Sequence, residues 1–120
     1  MRAGASSAVG LRVPKRRVRW TETARQDLDA IIDYIAADSV ENALSVLERI
    51  EERARSLELA PERGRVVPEL RAVDVYQYRE LIERPWRILY RIDPDRVVVL
   101  AVLDGRRDLG SLLLERLLRA

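Results

Sequence analysis

The chain has 120 residues, with 22 lysines and arginines against 20 aspartates and glutamates, and 48% of its residues are hydrophobic. This length and balance predict one soluble globular domain with a single core. The sequence has neither cysteine nor histidine. That absence excludes a disulfide framework, thiolate or imidazole metal ligands, and a histidine general base. We therefore expect no metal and no cofactor.

The N-terminal residues 1–12 are small, polar and unpatterned, which predicts a disordered arm before a single domain over 13–120. The first 20 residues carry six basic groups and no acid, so the arm either touches nucleic acid or stays solvated. It has no apolar stretch of the kind that signal peptides contain. The longest apolar run, 97–103, is too short to cross a bilayer. We expect a cytoplasmic protein without a membrane partner.

Two helices follow a first strand at about 13–20. Thr21 and Ser39 are good N-caps, and apolar residues recur after each at helical spacing. The pattern predicts one helix over about 22–37 and a second that reaches Leu57. The short break between them indicates an antiparallel helical hairpin.

The centre of the chain reads as a β-hairpin that turns at Pro85. We expect its first strand to begin at about residue 73. In its second strand, two sets of residues alternate. One set is aromatic and aliphatic, Trp86, Ile88, Tyr90 and Ile92, and the other contains two arginines, Arg87, Leu89 and Arg91. This period of two predicts one apolar face and one face that carries guanidinium groups.

The remaining residues complete the sheet. After a turn at 93–95, the run 97–103 is apolar on both faces and predicts an interior strand. A polar loop over 104–108 and a leucine-rich terminal helix follow. The order predicts an α+β, two-layer fold, in which an antiparallel meander plus the N-terminal strand is covered on one face by the helical hairpin. The other, arginine-bearing face is expected to be open and concave. We expect Trp20, Trp86 and Tyr90 to be core residues rather than stacking platforms.

Four segments in this order resemble the RelE/ParE superfamily of toxins from bacterial type II toxin–antitoxin, or plasmid stabilization, systems. They lie at 20–35, 61–70, 78–91 and 105–108. The resemblance covers about 17–118 and is closer to the ParE branch. It implies a small sheet half-wrapped by a helical hairpin, and a cognate antitoxin that binds and silences the toxin.

The resemblance leaves two targets open. RelE-like members cut messenger RNA on the ribosome, whereas ParE-like members poison DNA gyrase. RelE-like members carry a basic cluster on the concave face of the sheet, and Arg87 and Arg107 match arginines of that cluster. Arg79 stands near the position of one of its lysines. Glu69 resembles a catalytic glutamate of some relatives. The position of a C-terminal catalytic tyrosine falls near Leu113, and a histidine partner cannot exist here. Because the proton-transfer groups are missing, the resemblance favours growth inhibition by gyrase binding. The alternative is a ribosome-dependent endoribonuclease that uses Arg79, Arg87, Arg107 and Glu69.

The candidate target-binding residues are basic side chains of the hairpin and the last loop: Arg79, Arg87, Arg91, Arg106 and Arg107. We expect Arg87 and Arg107 to be exposed, so that alanine there leaves folding nearly intact. The competing interpretation is structural. Arg87 and Arg91 would then pair with Glu80 or Glu83 across the hairpin, and Glu69 would be an ordinary loop ion pair.

The candidate antitoxin-binding residues are Leu112, Leu113 and Leu117. Leucines over 109–118 cover more than half of the helical circumference, so part of that surface is expected to remain exposed or to cover the sheet only loosely. An exposed apolar patch is typical of a protein-binding site.

Overall fold

The computed structural model describes residues 15–106, 110–112 and 115–116. Its elements, in chain order, are β1 (Arg17–Trp20), α1 (Glu22–Ala36), α2 (Val40–Arg55), β2 (Arg65–Val66), α3 (Pro68–Arg71), β3 (Tyr78–Glu83), β4 (Trp86–Ile92) and β5 (Arg96–Asp104). Two short 3₁₀ turns, Ser56–Glu58 and Pro61–Arg63, precede β2. Residues 110–112 and 115–116 are helical. The predicted arm at 1–12 lies outside the described residues.

The five strands form one sheet in the order β1-β5-β4-β3-β2. β1 pairs with β5 in parallel, and the other neighbours are antiparallel. The predicted meander plus N-terminal strand is confirmed, as is the α+β class. β5 is apolar on both faces because each face is covered: Val97, Val99 and Val102 belong to one apolar cluster, and Ala101 and Leu103 belong to a second one.

The two predicted N-caps begin the two long helices. Thr21 accepts a hydrogen bond from the backbone N–H of Ala24 at 3.1 Å, and Ser39 accepts one from Asn42 at 3.1 Å. Each bond satisfies one of the N–H groups that a helix start leaves unpaired. The helical hairpin is confirmed, with α2 ending two residues before the predicted limit and passing into a 3₁₀ turn.

The face of the sheet under α1 and α2, here the helix-covered face, holds the main core. Ile88, Tyr90 and Val99 are fully buried there against α1 and α2 residues. Trp20 and Trp86 are partly buried and pack on the same cluster. The prediction of a core position is confirmed for Tyr90, whereas Trp20 and Trp86 lie at the edge of the core.

The opposite face of the sheet, here the second face, is not open as predicted. Val67 and Leu70 cover Leu89 and Ala101 in a second apolar cluster. The segment predicted as a loop at 61–70 contains β2 and α3, and the strand expected from residue 73 begins at Tyr78. Elements of two and four residues are too short to show a period in the sequence. Their apolar side chains nevertheless give the second face its cover.

Candidate functional site

The register of β3 and β4 divides the candidate arginines between the two faces. Arg79 lies opposite Tyr90, whereas Ile82 lies opposite Arg87 and Tyr78 opposite Arg91. Directly opposed residues share a face. Arg87 and Arg91 therefore lie on the second face and Arg79 on the helix-covered face, where its guanidinium donates to the Gly64 carbonyl at 2.7 Å. The structure does not bring Arg79 together with Arg87.

Arg87 is the centre of an ion-pair network on the second face. Its Nε donates to Glu80 at 2.5 Å, and its two terminal nitrogens donate to the Glu69 carboxylate at 2.8 and 2.7 Å. Glu80 also accepts from the Nε of Arg65 at 2.7 Å. Arg87 is only 8% exposed and Glu80 only 1%. The expectation that Arg87 is exposed is wrong, and its pairing with Glu80 and Glu69 confirms the structural alternative.

Strand geometry explains why this network forms. Glu80 and Arg87 stand on neighbouring strands, on one face and offset by two residues, within reach of long side chains. Glu69 approaches from α3. Hydrogen bonds from Arg87 hold the pKa of the Glu69 carboxyl below its usual value. The hydrogen bonds that Arg87 donates to Glu69, and then the one to Glu80, raise the pKa of Arg87 against the opposing effect of burial. Glu69 and Arg87 are therefore both ionised at neutral pH.

The other candidate arginines also have partners or lie outside the described residues. Arg91 is half-buried and pairs with Asp93 at 2.8 Å, not with either predicted glutamate. That bond raises the pKa of Arg91 and lowers the pKa of Asp93. Arg106 pairs with Asp104 at 2.7 Å while its side chain is 73% exposed. Arg107 lies outside the described residues.

A cleft of about 510 Å³ opens beside this network, at the β3–β4 turn and the end of β5. Its lining, here the arginine cleft, consists of Arg65, Ile82, Arg84, Pro85, Trp86, Arg87, Gly105 and Arg106. Arginines from β2, the hairpin turn, β4 and the residues after β5 thus line one cleft, and three of them, Arg65, Arg87 and Arg106, already pair with carboxylates. Arg84 is exposed and has no ion pair within the part of the chain that the structure describes. Guanidinium groups in such an arrangement suit carboxylate or phosphate ligands.

Gly105 allows the end of β5 to close against Arg87. Its N–H donates to the carbonyl of Pro85 at 2.7 Å. A Cβ atom at Gly105 would lie 3.2 Å from two side-chain carbons of Arg87 and 3.0 Å from the Pro85 carbonyl. A larger residue would therefore crowd the wall of the cleft.

Sequence reasoning gave no role to Asp27, which joins three elements. From α1 it accepts a hydrogen bond from the backbone N–H of Val102 in β5 at 3.0 Å. It also accepts two from Arg116, at 3.2 and 2.5 Å. The sequence signal that could have indicated this role is the position of the Asp27 carboxylate beside the apolar stripe of α1. Asp27 thereby fixes the terminal helical residues against α1 and β5.

The candidate antitoxin-binding leucines are only partly described. Leu112 is partly buried and packs on the apolar cluster of the second face, and its role in antitoxin binding stays a prediction. Leu113 and Leu117 lie outside the described residues. Among residues 15–106, 110–112 and 115–116, no helix is long and apolar enough to cross a membrane. The same residues contain no cluster of three or more side chains that would hold a metal ion.

Comparison with known proteins identifies the family. The family model for the ParE toxin of the type II toxin–antitoxin system parDE matches residues 18–109. Toxin ParE3 of Caulobacter vibrioides is 35% identical over 96 residues, which are 79% of this chain and 92% of that protein.

Two solved structures share the fold. A chain of the chromosomal ParDE toxin–antitoxin system from P. aeruginosa superposes with a TM-score of 0.61 at 28% identity, over 75% of this chain and 96% of that one. A chain of the toxin–antitoxin complex RelBE2 from Mycobacterium tuberculosis gives a TM-score of 0.56 at 27% identity, over 78% and 94%. Since the family match spans most of the sequence and the sheet and helical hairpin agree with it, the chain belongs to the ParE family and is a toxin of a type II toxin–antitoxin system.

Proposed function

We propose that this toxin arrests growth by binding DNA gyrase in the cytoplasm, without cleaving RNA, and that a cognate antitoxin neutralises it. The observation that carries the proposal is the state of Arg87. A ribonuclease needs cations directed at the phosphate that becomes pentavalent. Arg87, the arginine that matches the ribonuclease set, instead directs all three of its nitrogens at the Glu80 and Glu69 carboxylates.

The other residues of the ribonuclease alternative are also poorly arranged. Arg79 lies on the opposite face of the sheet from Arg87. Glu69 has a lowered pKa because it accepts hydrogen bonds from Arg87, whereas an effective general base has a pKa near the working pH. The chain also has no histidine, the residue that most often acts as a general base in enzymes. These features favour binding over catalysis.

The two structural relatives support an antitoxin as the partner of this chain. The names of the two structural relatives describe a ParDE toxin–antitoxin system and a RelBE2 toxin–antitoxin complex. This chain covers almost all of each relative, so the toxin surfaces of those systems have counterparts here. An antitoxin that binds this chain would stabilise it by mass action and compete for the surface that reaches gyrase.

The test places the purified toxin in two assays: supercoiling of relaxed DNA by gyrase, and cleavage of messenger RNA on translating ribosomes. We expect loss of gyrase activity, intact message, and recovery of gyrase when the antitoxin is added. Arg106→Ala should weaken the inhibition because this exposed side chain lines the arginine cleft. Arg71→Ala is the matched control, since Arg71 is exposed on α3 outside that cleft. Cleaved message with unaffected gyrase would contradict the proposal.

A further inference from the structure

Two arginines of the edge strand β1 lie on the second face, beside the start of β5, whereas the arginine cleft lies at its end. Arg19 pairs with Val98 of β5, and Val98 pairs in turn with Arg91 of β4. Because paired residues share a face, Arg19 lies on the same face as Arg91. Side chains alternate along a strand, so Arg17 shares this face, and it pairs with Arg96. These four arginines are here called the basic edge.

Most of the charge of the basic edge has no acidic partner. Arg17 and Arg19 are exposed, and neither forms an ion pair with any described residue. Asp93 donates its carboxylate mainly to one arginine: it accepts hydrogen bonds from Arg91 at 2.8 and 3.3 Å. Its distance to the Nε of Arg96 is 3.6 Å, which is longer than a hydrogen bond. Three of the four guanidinium groups therefore remain available to an anion.

The flanking residues add positive charge. The segments 15–20 and 91–96 together contain six basic side chains and two carboxylates. Lys15 pairs with Glu58, whereas Arg16 donates to a backbone carbonyl of the β4–β5 turn and not to a carboxylate. The net charge of the whole chain is only +2, so the excess of cations is concentrated at this edge of the sheet.

The spacing of the arginines suits a polyanion. Arg17 and Arg19 lie about 7 Å apart along β1, because a strand advances about 3.3 Å per residue. Arg19 and Arg91 lie about 10 Å apart across the sheet, which is two strand spacings. Val98 stands between them and is only 4% exposed, so this surface offers no apolar anchor. A protein partner usually needs a buried aromatic or aliphatic contact, whereas a row of phosphates needs only cations at intervals.

The neighbouring aromatic residue favours a duplex over a single strand. Tyr78 pairs with Arg91 on the same face, but it packs on the apolar cluster of Val67 and Leu70. Its ring is therefore not free to stack on an unpaired base, which is the usual contact of proteins that bind single strands. A duplex presents its phosphates and keeps its bases stacked inside.

We propose that the basic edge binds the phosphodiester backbone of duplex DNA without reading its sequence. Arg17, Arg19 and Arg96 would contact separate phosphates, since a guanidinium group donates two parallel hydrogen bonds to phosphate oxygens. This binding goes beyond the proposed function and does not depend on gyrase. In the cell it would hold the toxin on the DNA that its proposed target also binds.

The test measures binding of the full-length toxin alone to short fluorescein-labelled DNA duplexes by fluorescence anisotropy, between about 50 and 200 mM salt. We expect similar micromolar affinity for two unrelated sequences. The double variant Arg17→Gln with Arg19→Gln should bind about tenfold or more weakly at the lower salt concentration. It should also reduce the slope of log affinity against log salt by about two, because each phosphate contact contributes about 0.9 to that slope.

The matched control changes Arg25 and Arg55 to glutamine. Both are exposed, and they lie on α1 and α2, which cover the other face of the sheet. The net charge falls by the same amount, but affinity and salt slope should stay near those of the parent. Arg17→Lys with Arg19→Lys keeps both charges and should retain most of the binding. Thermal denaturation should give similar midpoints for all these variants, since Arg17 and Arg19 are exposed and unpaired among the described residues.

The remaining outcomes decide against the inference. Equal affinity of the parent and the Arg17→Gln, Arg19→Gln variant would overturn it. An equal loss in the Arg25, Arg55 control would show an effect of net charge alone. Tighter binding to an RNA duplex, to a single strand or to a poly-glutamate peptide than to duplex DNA would assign the surface to that ligand instead. Gyrase is absent from the assay, so these results leave the proposed function untouched, and a toxin that binds DNA without inhibiting gyrase would contradict the proposed function alone.

Discussion

The two faces of the sheet are stabilised by different interactions. On the helix-covered face, Ile88, Tyr90 and Val99 meet α1 and α2, and burial of apolar surface supplies the stabilisation. On the second face, a smaller apolar cluster lies beside the buried pair Arg87 and Glu80. The effect of a substitution on the first face depends mainly on volume and shape. On the second face it depends on which charge is left without a partner.

This difference changes the meaning of Arg87. A row of arginines alternating with apolar residues predicts a binding face. The structure shows an arginine with two carboxylate partners and almost no solvent exposure. The arginines exposed at the cleft are the flanking residues Arg65, Arg84 and Arg106.

The largest predicted effect is at the buried pair. Arg87→Ala removes the closest cation of Glu80, whose side chain has zero exposure, and leaves that carboxylate only Arg65, a cation that is 61% exposed. Removal of one partner of a buried ion pair costs about 3–5 kcal/mol. Because Arg65 remains, urea denaturation should show a loss at the lower end of this range. The double variant Arg87→Met with Glu80→Leu removes both charges and should recover most of the loss. A loss under about 0.5 kcal/mol for Arg87→Ala, as expected of exposed sites, would show that the pair is solvated.

The next effect is at the edge of the helix-covered face. The hydroxyl of Tyr90 accepts a hydrogen bond from the N–H of Gly64 at 3.0 Å and donates one to the carbonyl of Pro61 at 2.7 Å. A Cβ at Gly64 would lie 2.5 Å from that hydroxyl and 2.6 Å from the Glu80 carbonyl. Overpacking of this kind costs about 1–3 kcal/mol, so Gly64→Ala should lower the free energy of unfolding by that amount.

A second variant separates the hydroxyl contact at Gly64 from the other two. Tyr90→Phe removes the hydroxyl, so Gly64→Ala should be less damaging in the Tyr90→Phe background. The contacts to the Glu80 carbonyl at 2.6 Å and to the ring carbon Cε1 at 2.8 Å remain and should preserve part of the loss. Equal losses in the two backgrounds would mean that the hydroxyl is not the obstacle.

Much of the fold could be predicted because its signals are local. Thr21 and Ser39 mark the starts of the two helices, and the alternation at Trp86 and Ile88 marks a half-buried strand. The apolar run at 97–103 identifies the interior strand. Each of these signals depends on residues a few positions apart, which capping and periodicity describe well.

The site was less predictable because it depends on register and on long-range contacts. The pairing of Arg79 with Tyr90 follows from the turn between β3 and β4, and a shift of one residue would have moved Arg79 to the other face. Glu69 reaches Arg87 from a four-residue helix that has no periodic signal. The sequence allowed a pairing of Arg87 with Glu80, which is correct. No sequence pattern, however, indicated how deeply these two residues are buried.

The smallest predicted effect concerns Glu69 and depends on pH. Hydrogen bonds from Arg87 lower the pKa of Glu69 in the folded state, relative to an unfolded value of about 4.3. A lowered pKa gives stability that is present above the unfolded value and is lost as the pH falls through the folded value. Because the Glu69 side chain is 34% exposed, solvent screening limits the contribution to about 1 kcal/mol or less.

The measurement compares Glu69→Gln with the parent protein by urea denaturation at pH 7 and at about pH 3. At pH 7 the variant should be less stable, since Arg87 has lost an ionised partner. At the lower pH the parent's Glu69 is increasingly protonated, so the difference in unfolding free energy should shrink. Glu62→Gln changes an exposed glutamate that has no ion pair among the described residues, and its difference from the parent should be small at both pH values. A difference for Glu69→Gln that does not change with pH would mean that the carboxylate contributes through its shape or packing and not through its charge.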